Sequence, residues 1–436
     1  MRFGVAKDII TPDAKTHMGG YGSLYQEQFV GIHDDLYVKT LVVDDGRTLV
    51  VLISLDLLFH DYELTRCIGH YVQERHGIPS DNLILSYTHN HAGPAVRGYD
   101  PGQHSDHYEA FLAERIKSCV DRALVNTFEG TIEHGAIEGD WTMCRRKLVD
   151  GRWINAPNPE GDKDTSLSIL RVRDLDGNEK ALLVSYSCHP VTLGDTLWIS
   201  GEYPGRTCQL LEAEFYGCTA MFFQAAGGCS RPKIAVGADG WKACDFGEVD
   251  EMSTAMARAV ERAIRVGKLQ PFCLDLGARQ FVVTLETEAR PKEYFARIVD
   301  DPNVSDSPRK NEARLVLETY DDAPDQIDLH AAIVRLGSDV HIAYLCGEVT
   351  WPVKQHVLKA FCERTVFFIG YGDATAYVPD DRYIDEGGYE VDGSVVEFCL
   401  KGRLKKGVDR QMTNAFGRAL AELDASADRS EAERGA

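Results

Sequence analysis

The sequence predicts an α/β fold in which mixed β-sheets are flanked by helices. Apolar runs of strand length recur along the chain, and some are joined in pairs by turns such as Asp44-Asp45-Gly46, which is typical of β-hairpins. Segments with the apolar spacing of helices separate these runs, as at 105–128 and 247–267. Because no internal repeat or Pro- or Ser-rich linker divides the chain, we expect one domain over residues 1–423.

The elements of this fold follow one another in a regular order. In the first half we expect strands at 3–10, 37–43, 47–55, 82–85 and 130–138, with helices at 61–76 and 105–128. Gly77-Ile78-Pro79 provides the stop signal of the first helix. In the second half we expect strands at 166–172, 180–187, 220–224, 273–286, 331–336, 340–345 and 366–371, and helices ending near 216, at 247–267 and at 352–363.

Two polar segments stand apart from this pattern. Residues 288–327 are charged and only partly helical, so we expect a surface excursion from the domain. Residues 424–436 consist of Ala, Asp, Glu, Arg, Ser and Gly without apolar periodicity, which predicts a disordered tail.

Composition limits the partners that the protein can have. The 436 residues carry a formal net charge of −21, which disfavours nucleic acid and anionic membrane surfaces. No apolar run approaches the ~20 residues of a membrane span, and no signal peptide is recognisable after Met1. We therefore expect no stable membrane insertion. The twelve cysteines include no Cys-x-x-Cys pair, which is typical of buried free thiols in a cytoplasmic protein.

Two histidines follow the predicted strand at 82–85. His89 and His91 are spaced two apart, and such residues point to the same face of a strand. They can therefore reach into one pocket at a strand end, where open sheets place their chemistry. The alternative is a pair of solvated loop histidines.

The same arrangement of a strand followed by a candidate ligand recurs three times. His189, Glu348 and Tyr377 each come shortly after a predicted apolar strand. Two neutral imidazoles and a carboxylate are the ligand set of hydrolytic zinc sites, which leave a position for water and lower its pKa to about 7. The ligands are far apart in sequence, so this hypothesis requires the fold to bring them together.

A basic segment at 145–147 and a small-residue loop at 225–232 are further candidates. Arg145, Arg146 and Lys147 form a cationic group in an acidic protein; such a group is either a solvated loop or a site for a carboxylate or oxyanion. Ser230 lies in the small-residue loop, which permits close backbone approach to a ligand. With no helix evident behind it, Ser230 does not form a nucleophile elbow.

Several of these segments resemble the catalytic domain of the neutral, non-lysosomal ceramidases. Residues 88–94, THNHAGP, are similar to the family's THTHSGP, and 199–202, ISGE, to its ISGD. Residues 347–350, GEVT, are similar to its GEFT, and later Tyr-Val and Tyr-Glu pairs lie at 377–378 and 389–390. The resemblance extends over roughly residues 3–390 in the same order. It implies a fold like that of the neutral ceramidase catalytic domain.

The resemblance also implies roles for individual residues. It implies one Zn²⁺ ion held by four side chains: His89, His189, Glu348 and Tyr377. His91 would handle the proton at the reacting centre, while Tyr389 and Arg145 would stabilise the oxyanion formed when metal-activated water attacks an amide carbonyl. Ser230, which falls at a serine of the family's segment, would bind substrate. From the basic segment we also expect Arg146 to bind substrate.

The sequence also departs from the family pattern. Asn90 and Ala92 alter the first motif, and Gly228-Cys229 and Arg231-Pro232 flank Ser230 differently from the family's segment. The resemblance does not extend to the family's immunoglobulin-like C-terminal domain. We therefore expect a small N-acylated substrate rather than ceramide embedded in a membrane.

Three functions remain open from the sequence. The first is a zinc-dependent amidohydrolase acting on a small N-acyl substrate. The second is a metal-dependent lyase or other carbohydrate-active enzyme that acts on an acidic oligosaccharide, with the 145–147 segment holding a carboxylate. The third is a binding protein in which the metal has only a structural role.

Overall fold

The polypeptide forms twenty-one strands and ten α-helices over the part of the chain that is described here. The structure is a computed structural model and describes residues 1–24, 27–97, 104–302, 308–373 and 375–435. The strands are β1 (Arg2–Ile9), β2 (Gly31–Ile32), β3 (Tyr37–Asp44), β4 (Leu49–Leu55), β5 (Leu83–Tyr87), β6 (Thr127–Glu138), β7 (Thr142–Val149), β8 (Arg152–Asn158), β9 (Ser166–Asp174), β10 (Glu179–Tyr186), β11 (Trp198–Ile199), β12 (Thr219–Gln224), β13 (Ser230–Pro232), β14 (Gln270–Phe272), β15 (Gly277–Ala289), β16 (Gln326–Arg335), β17 (Val340–Leu345), β18 (Glu348–Val349), β19 (Thr365–Ile369), β20 (Tyr377–Val378) and β21 (Gly402–Leu404).

Five of the ten helices described, at 62–76, 106–125, 202–214, 246–265 and 351–359, correspond to helices that the sequence predicts. The described helices are α1 (Tyr62–His76), α2 (Asp106–Val125), α3 (Glu202–Glu214), α4 (Phe246–Arg265), α5 (Lys292–Asp300), α6 (Pro308–Thr319), α7 (Trp351–Lys359), α8 (Asp381–Glu386), α9 (Ser394–Glu397) and α10 (Val408–Gly435). The end of α1 is set by Gly77, whose φ of 69° suits the left-handed cap that glycine favours. The start of α4 is set by a capping box between Asp245 and Glu248.

Two large β-sheets form the framework of the fold. One has nine strands in the order β12-β10-β9-β6-β1-β3-β4-β5, with β14 paired to β6. The other has five strands in the order β19-β17-β16-β15-β21. Parallel pairs, such as β4 with β5 and β10 with β12, occur beside antiparallel ones, such as β1 with β3. The prediction of mixed sheets flanked by helices is therefore confirmed.

The two sheets pack face to face around the largest apolar core. Phe3, Leu52 and Phe223 of the nine-stranded sheet share this core with Ile333 and Leu345 of the five-stranded sheet. Helices cover the outer faces, with α1 and α2 on one part of the nine-stranded sheet and α3 and α4 on another. Residues of α7 and α10 join the core from the side of the five-stranded sheet. Because the apolar side chains of a strand point alternately to its two sides, one face of a sheet packs on the other sheet and the opposite face packs on helices.

Three segments take conformations that the sequence had left open or had predicted differently. The basic segment is not a solvated loop: it lies on β7, where Arg145 and Arg146 are buried. Residues 288–327 contain α5 and α6, which bury Phe295 and Val316 in a small apolar cluster of their own. Residues 424–435 continue helix α10 rather than leaving the fold as an irregular tail. None of the helices described is long and apolar enough to cross a membrane.

Candidate active site

The carboxyl ends of several strands from both large sheets meet at one place. The backbone N–H of Tyr87, at the end of β5, donates to the carbonyl of Tyr371 after β19 (2.9 Å). The N–H of Gly370 donates to the carbonyl of Gln224 at the end of β12 (2.7 Å). These bonds join the edges of the two sheets, so that loops following β5, β10, β17 and β19 come together.

His89 is held in an uncommon backbone conformation beyond the end of β5. Its φ is 62°, a left-handed geometry that costs a non-glycine residue of order 1 kcal/mol and is found at functional sites. Its Nδ1–H donates to the carbonyl of Leu58 (3.1 Å). This bond leaves Nε2 as the unprotonated nitrogen that faces the site. The two histidines reach one pocket through this turn, since strand alternation ends at Tyr87.

His91 is oriented in the same way by a different backbone carbonyl. Its Nδ1–H donates to the carbonyl of Gly20 (2.8 Å), so its Nε2 also faces the site. Asn90, between the two histidines, donates through Nδ2 to the carbonyl of Ser200 (2.7 Å) and accepts from the N–H of Ala92 (2.9 Å). The asparagine that departs from the family motif therefore fixes the turn that carries both imidazoles.

His189 lies on the loop after β10, and hydrogen bonds to buried groups hold this loop in place. The carbonyl of Cys188 accepts from Nε2 of Gln224 (2.6 Å) and from the hydroxyl of Tyr203. The carboxylate of Glu202 is 1% exposed and accepts from the N–H of Leu193 (2.8 Å). These contacts anchor the loop on both sides of His189 and so fix its imidazole.

The three imidazoles converge with a carboxylate. The Nε2 atom of His89 lies 3.0 Å from Nε2 of His189, and Nε2 of His91 lies 3.1 Å from each of the other two. Glu348 Oε2 lies 3.5 Å from Nε2 of His89 and 3.7 Å from Nε2 of His189. Nitrogen ligands of a tetrahedral zinc ion, at ~2.0–2.1 Å from the metal, are about 3.3–3.4 Å apart. The spacing thus fits a single metal ion.

Burial makes this cluster electrostatically unfavourable without a cation. It lowers the pKa of His89 to about 3 and raises the pKa of Glu348 to about 8, although Tyr377 and Arg145 offset part of the second shift. Three neutral Nε2 lone pairs then face one another, and Oε2 of Glu348 is buried without a hydrogen-bond partner among the described residues. A divalent cation would satisfy all four groups, so the residues present fit a metal ion.

Tyr377 and Tyr389 form one wall beside this cluster. β20 pairs with β18 so that Tyr377 is the backbone partner of Glu348. The ring centroid of Tyr389 lies 5.4 Å from that of Tyr377, and the Cζ atom of Arg145 lies 5.2 Å from each ring. The hydroxyl of Tyr389 donates to the carboxylate of Glu397. The predicted ligand Tyr377, the predicted oxyanion donor Tyr389 and Arg145 are thus close together.

Glu390 holds the two buried arginines of β7. Its Oε1 accepts from Nε of Arg145 (2.8 Å) and its Oε2 from Nη1 of Arg146 (2.6 Å). Burial by itself would raise the pKa of Glu390, but the two guanidinium groups outweigh it and hold the pKa below its ordinary value. Nη2 of Arg145 is buried and has no hydrogen-bond partner in the described part of the chain. That N–H group is therefore available to a ligand.

We expect Glu390→Gln to lower the free energy of unfolding by about 3–5 kcal/mol, because it leaves the buried Arg145 without its carboxylate and leaves Arg146 with Glu386 alone among the described carboxylates. Urea unfolding at neutral pH measures the difference. The control is Glu386→Gln, which removes a carboxylate that contacts only Arg146 and is 19% exposed; we expect a loss of about 1 kcal/mol or less. Equal losses in the two variants would contradict the central position of Glu390.

A cavity of about 470 Å³ opens above the cluster. His89, His91, His189 and Glu348 line its floor together with Arg145, and Tyr377 and Tyr389 line its side. Arg309 and Glu312 of α6 also line it, so the segment predicted to be a surface excursion supplies part of the cavity wall.

The structure places Ser230 and Arg146 behind the cavity surface. The hydroxyl of Ser230 donates to the carbonyl of Ser187 (3.1 Å). Arg146 bonds to Glu390 and Glu386, and its Cζ atom lies 3.9 Å from the ring centroid of Tyr383. These contacts indicate that Ser230 positions its loop and that Arg146 positions Glu390. The substrate-binding roles of Ser230 and Arg146 stay predictions.

Some residues of the site carried no sequence signal. The carbonyls of Gly20 and Leu58 select the tautomers of two histidines, and any residue type supplies a carbonyl. Tyr371, with φ of 55°, places its ring centroid 4.4 Å from that of His89. Glu390 stands in the Tyr-Glu motif, but its pairing with β7 depends on contacts between residues 244 and 245 positions apart.

The fold and the site define an α/β protein with a candidate histidine–carboxylate metal centre between two sheets. The sequence profile described as "Neutral/alkaline non-lysosomal ceramidase, N-terminal" matches residues 2–257. The chain therefore belongs to the neutral/alkaline non-lysosomal ceramidase family, which confirms the resemblance seen in its motifs.

Individual relatives agree with this assignment. The chain is 25% identical over 237 residues to neutral ceramidase of Drosophila melanogaster, a match that covers 49% of this chain and 32% of that protein. It is 24% identical over 230 residues to neutral ceramidase A of Dictyostelium discoideum, with 49% and 32% covered. Each match thus spans about a third of the relative's length.

Solved structures show the same fold over almost the whole chain. The crystal structure of neutral ceramidase from Pseudomonas aeruginosa superposes with a TM-score of 0.75 at 17% identity, covering 98% of this chain and 74% of that chain. A second structure, described as ceramidase complexed with C2, gives a TM-score of 0.76 at 17% identity, with 98% and 75% covered.

Proposed function

We propose that this chain is a zinc-dependent hydrolase that cleaves the amide bond of a small N-acyl substrate. One observation carries the proposal: three imidazole Nε2 atoms lie 3.0–3.1 Å apart, next to a buried carboxylate, on the floor of a cavity. The relatives named above are ceramidases by name, which supports an N-acyl substrate. Ceramide is one candidate within that class.

We assign the metal to His89, His189, Glu348 and Tyr377. The carboxylate of Glu348 approaches the Nε2 atoms of His89 and His189, and among the described residues no such contact joins it to His91. Tyr377 is adjacent to Glu348 across the β18–β20 pair. We assign His91, which lines the cavity but lacks this contact with Glu348, to proton transfer rather than to the metal. Zinc suits two imidazoles and oxygen ligands.

The metal and the protein divide the chemistry between them. A metal ion bound at these residues supplies Lewis-acid polarisation and makes water a nucleophile near neutral pH. We assign stabilisation of the charge on the carbonyl oxygen to Nη2 of Arg145, which has no hydrogen-bond partner among the described residues, and to the hydroxyl of Tyr389, which would exchange its bond to Glu397 for one to that oxygen. Burial holds the pKa of His91 well below its ordinary value, so its Nε2 is unprotonated; it can accept a proton from the attacking water and then deliver that proton to the departing amine.

The geometry does not favour a lyase that holds an acidic sugar through the 145–147 segment. Arg145 and Arg146 are paired with Glu390, and Arg146 also contacts Glu386. Lys147 is exposed on β7 rather than in the cavity. A substrate carboxylate at these arginines would compete with two buried protein carboxylates.

We also propose that the protein works in a reducing compartment such as the cytoplasm. All twelve cysteines are free thiols in the structure, and eight of them are buried. Burial raises the pKa of buried thiols such as Cys188, to about 12, so they behave as small apolar side chains rather than reactive groups.

Metal analysis together with amide hydrolysis tests the proposal. We expect about one zinc per chain in the purified protein, and release of free amine from N-acyl substrates of increasing acyl length, ceramide included. An unsaturated, ultraviolet-absorbing product from acidic glycans would instead support the lyase. A protein that binds no zinc, gains none on addition and releases no amine would contradict the proposal. Bound zinc without turnover of either substrate class would support a structural metal.

A further inference from the structure

A third arginine reaches the cavity from the segment in which the sequence departs from the family pattern. Arg231 lies on β13, which pairs antiparallel with β7 so that Arg231 stands opposite Met143. Arg145 is two residues further along β7, and therefore on the same face of this small sheet as Arg231. Both side chains line the cavity above the metal cluster.

Arg231 lacks the partners that the other arginines of the site have. Its Nε is buried without a hydrogen-bond partner, and no carboxylate of the described residues pairs with it. Its Cζ atom lies 4.9 Å from the ring centroid of Trp241, whose Nε1–H donates to Oδ1 of Asn155 (2.9 Å). The indole therefore fixes the plane of the guanidinium group while leaving its N–H edge free.

Tyr21 is an additional unused donor beside Arg231. It lines the same cavity, and its hydroxyl is buried with no hydrogen-bond partner among the described residues. Tyr21, Arg231 and His91 line the same cavity, and the ring centroid of Tyr21 lies 5.0 Å from that of His91. Unpaired buried donors of this kind are costly unless a ligand satisfies them.

The arginines that β7 and β13 present to the cavity differ in their charge partners. Arg145 and Arg146 are balanced by Glu390 and Glu386. Burial lowers the pKa of Arg231, Tyr21 opposes this shift and Arg145 adds to it, yet a guanidinium group remains charged at neutral pH. The guanidinium group of Arg231, which has no carboxylate partner among the described residues, therefore suits an anionic group such as a carboxylate.

We propose that Arg231, assisted by Tyr21, binds a carboxylate group of the substrate. The substrate is then a monoanionic amide, such as an N-acyl amino acid, rather than a neutral lipid amide. The guanidinium edge matches the two oxygens of a carboxylate, and because Arg231 and His91 line the same cavity, one substrate can reach both. The identity of the bond rests on the proposed function, but binding of the carboxylate does not.

Two pairs of compounds test this proposal with the zinc-loaded protein. N-octanoylglycine and N-octanoylglycinamide differ only in the charge on the amine side, and octanoate release measures turnover of both. N-octylglutaramic acid and its terminal amide place the same difference on the acyl side, with octylamine release as the readout. We expect at least a tenfold preference in kcat/KM for the carboxylate in one pair, and the pair that shows it identifies the side.

Variants of Arg231 test whether this side chain causes the preference for the carboxylate substrate. We expect Arg231→Gln to lower kcat/KM for the carboxylate by about 10- to 100-fold and to change it for the neutral amide by less than about threefold. Arg231→Lys should restore part of the preference. Arg152→Gln is the matched control, since it removes one exposed positive charge from neighbouring strand β8; it should leave both substrates unaffected.

A binding measurement separates this inference from the proposed function. N-(octylsulfonyl)glycine and its glycinamide analogue lack the scissile amide, and calorimetry compares their affinities for wild type and Arg231→Gln. Tighter binding of the carboxylate, lost in the variant, supports the inference even if no amide is cleaved. Equal affinity for the two compounds, an unchanged preference in Arg231→Gln, or no binding of either compound would overturn it, whatever the outcome of the amide assays.

Discussion

The double variant His189→Ala, Glu348→Ala is expected to contain no zinc and to lose kcat/KM for amide hydrolysis by at least about 10³-fold, because a bound metal supplies several kcal/mol of transition-state stabilisation. Both side chains point into the cluster in which the Nε2 atoms of His89 and His189 are 3.0 Å apart. Metal analysis after dialysis against a chelator-free buffer gives the zinc content, and amine release gives the rate.

The fold should survive these substitutions. Nδ1 of His189 and Oε2 of Glu348 are both buried without hydrogen-bond partners in the part of the chain that is described, so alanine leaves few new polar groups unsatisfied. Circular dichroism and the urea midpoint of the metal-free proteins check this point. A variant that keeps its zinc while folded would show that the metal is held by other residues.

His91→Gln is the matched contrast to this double variant. It removes an imidazole whose Nε2 lies 3.1 Å from each of the other two, and glutamine can still donate to the carbonyl of Gly20. If His91 handles the proton, the variant keeps about one zinc and loses activity. Loss of zinc in His91→Gln would instead make His91 the third imidazole ligand and would refute the assignment of Tyr377.

The sequence predicted the parts of the fold that local rules determine. The stop of α1 at Gly77 follows from the left-handed cap that glycine permits, and the apolar period of 247–267 is the buried face of α4. His189 and Glu348 were found because each follows a buried strand, and strand ends of parallel pairs meet at a sheet edge. These inferences need only the residues close to each site in the chain.

The remaining features depend on contacts between distant segments. Two arginines in an acidic chain are consistent with a solvated loop, and only the approach of Glu390 makes their burial tolerable. The left-handed φ of His89 is maintained by the carbonyl of Leu58, which no sequence pattern marks. Likewise, the polar residues of 288–327 show no period that would reveal a cavity wall, because α6 is ordered by its packing on residues such as Val395 and Val396.

Tyr389→Phe is expected to lower kcat for amide hydrolysis by about 10²- to 10³-fold while zinc content stays at the wild-type level, because removal of one oxyanion donor costs about that much. The substitution deletes only the hydroxyl that contacts Glu397, and the ring remains in place against Tyr377 and Arg145. Steady-state kinetics at saturating substrate, with metal analysis of the same sample, measures the effect. KM should change much less than kcat, since the interaction strengthens only as charge develops on the carbonyl oxygen.

The control for this prediction is Tyr71→Phe. Its hydroxyl also contacts a carboxylate, that of Asp121 (2.9 Å), but it lies between α1 and α2 outside the cavity. We expect Tyr71→Phe to keep full activity. That result would show that the effect of Tyr389→Phe comes from the loss of an oxyanion donor and not from the loss of a tyrosine–carboxylate bond. If Tyr389→Phe raised KM with kcat unchanged, Tyr389 would bind the ground state of the substrate, and Arg145 would remain as the oxyanion donor from this wall. If it lost zinc, Tyr389 would belong to the metal site.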